Sequence, residues 1–181
     1  FSRMRDVEIG DLNGNGSPVI TVATHDQGVV ALVRRDPETQ TFSIEEIDEE
    51  SETFVHEVEI GDLDGDGVLE VYATPSEPNR LDGSVQKGIV TRYVPAKGEG
   101  RTVVADLGDR HAKEIYVGDV DGDGTDELYV VVEGKIDKAT KKLVADVEIR
   151  RYDADTDPTQ GVVVASMEDR LGRFLTAGDF D

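Results

Sequence analysis

One short acidic loop, written three times and each time running into an apolar stretch, limits what this chain can fold into. The copies read GDLNGNGSPVI from Gly10, GDLDGDGVLEVY from Gly61 and GDVDGDGTDELYV from Gly118, and GDFD from Gly178 opens a fourth. Their first aspartates, Asp11, Asp62, Asp119 and Asp179, stand 51, 57 and 60 residues apart. A self-similar period of this size marks a stacked or radial repeat, in which each unit buries its faces against its neighbours. The repeat region is read as 1–181, with copies over 1–51, 52–108 and 109–170 and a partial one over 171–181.

The loops have a chemistry of their own. Asp119, Asp121, Asp123, Asp126 and Glu127 crowd one turn, where like charges either stay solvated or surround a cation. Alternate positions of a tight loop turn inward, and Gly122 and Gly124 permit the positive φ that such a turn needs. Hard cations such as calcium take 6–8 oxygen ligands, and this start supplies three carboxylates. An EF-hand would require a glutamate at loop position 12 and a helix after it. Position 12 is Val130, inside the strand-like ELYVVV, and the acid stands at position 9 as Glu127. The EF-hand is excluded.

Each copy divides into four apolar-alternating runs. The first has RDVEI, VITVATH, VVALVRR and FSIEEI; the second HEVEI, EVYATP, GIVTRYV and TVVADL; the third KEIYV, ELYVVVE, VADVEIRRY and VVVASM. RFLTA opens a fourth set. Gly, Pro and Asp punctuate the gaps, and no segment carries a 3.6-residue apolar period. The expectation is an all-β chain of four-stranded units in series, the arrangement of propeller blades.

The loops and their period resemble the FG-GAP or VCBS repeats of the integrin α-type calcium-binding β-propeller. The resemblance implies about three four-stranded blades plus the first strand of a fourth, part of a seven-bladed ring that continues beyond Asp181 and precedes Phe1. A chain of this length alone is expected to self-associate or to dock on another chain that supplies the remaining blades. The resemblance also implies a Ca2+ loop between the first and second strands of each blade. Its pattern falls on Asp62, Asp64, Asp66 and Glu70, and on Asp119, Asp121, Asp123 and Glu127, with the carbonyls of Val68 and Thr125 at position 7. The first copy offers Asp11, Asn13, Asn15 and Ser17 but has Val19 at position 9, so its affinity should be lower. Asp179 and Asp181 begin the fourth site. Asn15-Gly16-Ser17 also matches a glycosylation sequon, which is set aside because Asn15 is read as a ligand.

Six residues before each loop aspartate stand Arg5, His56, Lys113 and Arg173. Strand parity groups them with Val7/Ile9, Val58/Ile60, Ile115/Val117 and Leu175/Ala177. The resemblance implies that they lie on an innermost strand and line a channel mouth as a ligand-binding ring for an anionic group; local pairing to Asp6, Glu57 and Glu114 on a solvated rim is the favoured, plainer reading. The longer connections, SEPNRLDGSVQKG and EGKIDKATKK, are further candidates for recognition.

The net charge of -21, from 40 acids against 19 Lys and Arg, makes nucleic acid and anionic membranes poor partners. There is no cysteine, hence no disulfide framework, zinc-thiolate site or thiol nucleophile. No apolar run approaches a membrane span. No residue is assigned a catalytic role: His25, His56 and His111 lie in different sequence contexts, and no G-x-S-x-G elbow is present. The sequence thus points to an extracellular, cell-surface or periplasmic binding or adhesion segment with a protein or carbohydrate ligand. The alternatives are the scaffold of a secreted polysaccharide lyase or other carbohydrate-active enzyme, and a structural repeat module.

Overall fold

The computed structural model describes residues 3–50, 53–77, 87–169, 171–172 and 174–178. The first copy forms an antiparallel sheet of β1 (Met4–Gly10), β2 (Val19–Thr24), β3 (Val29–Arg35) and β4 (Phe42–Glu49), side by side in chain order. The second repeats it with β5 (Phe54–Gly61), β6 (Glu70–Ser76), β7 (Ile89–Val94) and β8 (Glu99–Asp106). The third comprises β9 (Ala112–Gly118), β10 (Glu127–Val132), β13 (Val147–Tyr152) and β14 (Val162–Met167). Between β10 and β13 the chain makes a separate hairpin of β11 (Lys135–Ile136) and β12 (Leu143–Ala145). Among the described residues no helix is long and apolar enough to cross a membrane.

The expected strands are present in all three copies, with two corrections. VADVEIRRY is not one strand: its first residues pair with β11, and only Val147–Tyr152 joins the main sheet. Arg110 holds the break in place. Its guanidinium donates to the carbonyls of Glu133 (3.0 Å) and Asp146, at the two feet of the hairpin, and pairs with Glu148 at 2.8 Å. The second correction concerns RFLTA, of which Arg173 lies outside the described residues. Phe174–Ala177 carry no strand, because a strand is a member of a ladder and none of the described strands pairs with them. Most of SEPNRLDGSVQKG, residues 78–86, also lies outside the described residues.

The sheets stack on one another through their apolar faces. Leu12, Val30 and Leu32 of the first pack with Val55, Val58, Val71 and Tyr93 of the second. Tyr72, Val90 and Ala105 of the second pack with Ile115, Leu128, Val130 and Tyr152 of the third. The first strands of successive sheets are neighbours, β1 against β5 and β5 against β9. This approach is close enough that a Cβ on Gly61 would overlap the Val117 side chain. Polar links cross the same seam: Val58 N–H donates to Asp6 Oδ2 at 2.9 Å, and Asp62 N–H to Asp126 Oδ2 at 2.8 Å.

Candidate metal centres

Each of the three described acidic loops joins the first strand of its sheet to the second, and all three fold around their first aspartate in the same way. In the third copy, Asp119 Oδ1 accepts from the N–H groups of Gly122 (2.7 Å) and Asp123 (3.0 Å), and Oδ2 from Gly124 (2.9 Å). Asp62 is held by Asp66 and Gly67, and Asp11 by Asn15 and Gly16. Position 5 then caps position 7: Thr125 N–H donates to Asp123, Val68 to Asp66 and Ser17 to Asn15, each at 2.9 Å. The turn requires left-handed backbone at two glycines per loop, with φ of 77° at Gly122 and 95° at Gly124. Backbone donors thus fix the first carboxylate of each loop.

Asp119, Asp121, Asp123 and Glu127 bring one carboxylate oxygen each to within 4.8 Å of the others, and Asp62, Asp64 and Asp66 do the same. Both groups could hold a metal ion. Four acids on one turn suit a hard cation, since oxygen donors favour such ions over softer ones. Glu70, expected as the fourth member of the second loop, is not part of that group. Its carboxylate is engaged by Arg92, Tyr72 Oη and Leu63 N–H. In the first loop only Asp11 carries a charge, and Asp179, Asp181 and Arg173 lie outside the described residues.

Glu70 and Glu127 are 0% and 2% exposed, which is unusual for glutamate and needs support. The support comes from a cross-strand set that sequence reasoning missed. Glu127 Oε2 accepts from Tyr129 Oη and from Val120 N–H, both at 3.2 Å. Its other oxygen is buried without a hydrogen bond and lies 3.3 Å from the Arg151 guanidinium. Arg151 also reaches Asp121 and Asp153, both at 2.7 Å, and these partners raise its pKa. The second copy repeats the set with Glu70, Tyr72 and Arg92, Arg92 also touching Asp64 at 2.5 Å. Ladder register pairs Tyr72 with Arg92 and Tyr129 with Arg151. The equivalent pair in the first copy is Thr21 with Leu32, beside Val19. The first loop has therefore lost the whole Glu-Tyr-Arg set, not one ligand.

The basic positions behave differently from the parity reading. Every first strand carries a register irregularity at the same place: between Met4 and Asp6, between Val55 and Val58, and opposite Val131/Val132 where Lys113 stands. An extra residue breaks the two-residue alternation, so parity with Val7 and Ile9 does not carry back to Arg5, His56 and Lys113. At the second sheet, Thr74 Oγ1 accepts the N–H groups of both His56 (3.3 Å) and Glu57 (2.9 Å). Arg5 is exposed, Lys113 lies 3.8 Å from Glu133, and His56 is buried. Burial, followed by the charges of His111, Lys113 and Arg5, pushes the His56 pKa down to about 3.

The three histidines, dispersed in sequence, are brought together. His25 stacks on Phe54 with ring centres 4.0 Å apart, and His56 lies between His25 and His111. In the bulge of β5, Glu57 is raised by burial and by Asp6 and Glu114, and beyond it Glu59 is pushed up to about 8 by burial and by Glu8 and Asp6.

No family model matches the chain, and no curated protein is significantly similar to it.

Proposed function

We propose that the chain is a calcium-binding β-propeller segment of the FG-GAP or VCBS type, serving an extracellular binding or adhesion protein. One observation carries the reading: the same carboxylate-bearing turn stands between the first and second strands of three successive sheets whose first strands pack side by side. Calcium is favoured over magnesium because the loops offer many oxygens and calcium accepts irregular coordination, whereas magnesium demands a tight octahedron and retains its waters. The metal screens four carboxylates and so couples the loops to the stability of the seam. A protein or carbohydrate ligand would then bind away from the loops, on a scaffold the ions hold rigid.

The polysaccharide-lyase reading asks for tyrosine together with histidine, arginine and lysine around a sugar. Among the described residues, the ring contacts at the basic end involve His25, Phe54, His56 and His111, with no tyrosine among them. Calorimetric titration with calcium and with magnesium tests the metal assignment. Two calcium sites are expected to fill well before a weaker third. Equal affinity for magnesium, or no saturable binding, would overturn the reading.

A further inference from the structure

The second and third acidic loops share a turn, yet the side chains packed on them differ in charge. Arg92 and Arg151 occupy the same ladder position, opposite Tyr72 and Tyr129. In the second copy one guanidinium nitrogen, Arg92 Nη2, meets Asp64 Oδ2 at 2.5 Å and also Glu70 Oε1. A second cation closes on the same loop, where the Lys97 ammonium pairs with Asp66 Oδ2. Lys97 ends a single 3-10 turn, Pro95–Lys97, between β7 and β8, and Gly98 stops that turn in left-handed backbone at φ 68°. Loop positions 3, 5 and 9 of the second copy thus each meet a positive charge from the chain itself.

The third copy reverses the charge of this surround. Counted from the arginine, Lys97 corresponds to Thr156 and Val94 to Asp153. Thr156 Oγ1 accepts from the Asp153 N–H at 2.9 Å, so it serves its own turn and not the loop. Asp153 takes Arg151 Nε at 2.7 Å, and the guanidinium is thereby shared between Asp121 and Glu127 of the loop and an acid outside it. Among the described residues no cation pairs with Asp123, the counterpart of Asp66. The ligand groups differ accordingly. Glu127 Oε1 is buried without a hydrogen bond, and Glu127 converges with Asp119, Asp121 and Asp123, whereas Glu70 stands outside the group of Asp62, Asp64 and Asp66.

We propose that Lys97 and Arg92 act as built-in counter-ions of the second loop, which calcium has to displace, so that the third loop fills at lower calcium than the second. The proposal rests on the metal reading of the loops and adds an order to it. A divalent ion among these carboxylates stands close to any ammonium or guanidinium paired with them, and like charges at that range oppose one another. Filling the second loop therefore requires Lys97 to leave Asp66, which its flexible four-carbon stem permits. Arg92 is held in place by its ladder position and by the buried Glu70, and it keeps the affinity of that loop low. At the third loop the charge of Asp153 offsets that of Arg151. The chain then answers calcium in two steps, and the second step unties the loop from the β7–β8 turn at the edge of its sheet.

Calcium is titrated into the whole chain while the amide signals of Gly67 and Gly124 are followed separately. Each N–H donates to the first aspartate of its own loop, so each reports its own site. The Gly124 signal should saturate at roughly 3–10-fold lower calcium than the Gly67 signal. Lys97→Met, and Lys97→Thr after the third copy, should tighten the second loop by a similar factor and leave the third unchanged, whereas Lys97→Arg should keep the wild-type order. Asp153→Asn should weaken the third loop alone. Added salt should narrow the difference between Lys97→Met and the wild type, because exposed charges are screened; a difference indifferent to salt overturns the counter-ion role. Saturation of both loops at one calcium concentration, or a second loop unmoved by Lys97→Met, overturns the proposal and leaves the metal reading standing. Absence of a saturable shift at either glycine overturns the metal reading and the proposal with it.

Discussion

At the scale of single residues, the acidic loops are tuned by side chains outside them. Arg151 touches two carboxylates of the third loop, Asp121 and Glu127, and so places a positive charge where a divalent ion would sit. Like charges oppose one another across so short a distance. Arg151→Met is therefore expected to tighten calcium binding several-fold by calorimetry; weaker binding would mean that the guanidinium serves to position Glu127. A second prediction concerns Glu59. Its folded pKa of about 8 lies above the ordinary 4.5, so the stability it contributes is complete below the lower value and is lost as pH rises through the upper one. Glu59→Gln stays neutral throughout. Its melting temperature should nearly match the wild type at about pH 5 and exceed it at about pH 9, because the wild type must then ionise a half-buried carboxyl. A constant offset across that range would show that Glu59 does not titrate as its surroundings require.

At the scale of elements, the bulge on β5 and the seam between sheets do most to shape the chain's two ends. Thr74 is fully buried, and its hydroxyl alone accepts the two N–H groups of the bulge. Thr74→Val keeps the shape and removes the acceptor, which should cost about 1–3 kcal/mol in urea unfolding. A loss within a few tenths would mean that water or another group satisfies the bulge. Leu128, fully buried between the second and third sheets, is a control for packing, and Leu128→Ala should cost about 2–5 kcal/mol. Two hairpin turns share a D-x-x-T motif, Asp36 to Thr39 and Asp137 to Thr140. Asp36 accepts from Glu38 and Thr39, Asp137 accepts from Thr140, and Gln40 and Lys141 follow with φ near 60°.

At the scale of the whole molecule, stacking leaves outer faces. The free side of the first sheet exposes Val7, Ile9, Phe42 and Ile44, with Ile9 at 63% and Ile44 at 72%. The propeller reading assigns such a face to a neighbouring blade, so the isolated chain should self-associate in light scattering, and Ile9→Asp with Ile44→Asp should shift it toward monomer. A wild-type monomer at high concentration would count against a blade neighbour on that face. Metal removal belongs to the same scale, since the second and third loops meet at the Asp62–Asp126 hydrogen bond across the seam. Excess chelator should lower the melting temperature of the calcium-loaded chain by mass action. An unchanged melting temperature would mean that the ions are peripheral to the fold.

The sequence by itself determined whatever depends on near neighbours. Ligand positions one, three and five, the paired glycines, and the alternation of DVEI or EVYAT are set by a few consecutive dihedrals and by which face of a strand meets water. The register of the sheets lies outside that range. Tyr72 and Arg92, or Tyr129 and Arg151, become partners only when strands about 20 residues apart pair, and nothing local marks them as one support for a buried glutamate. The bulges were equally hidden, because an extra residue in a strand is visible only against the strand beside it. Parity alone therefore does not orient Arg5, His56 and Lys113. The histidines show the division most plainly: His25, His56 and His111 are 31 and 55 residues apart in the chain, and only the stacking of three sheets puts their rings in contact.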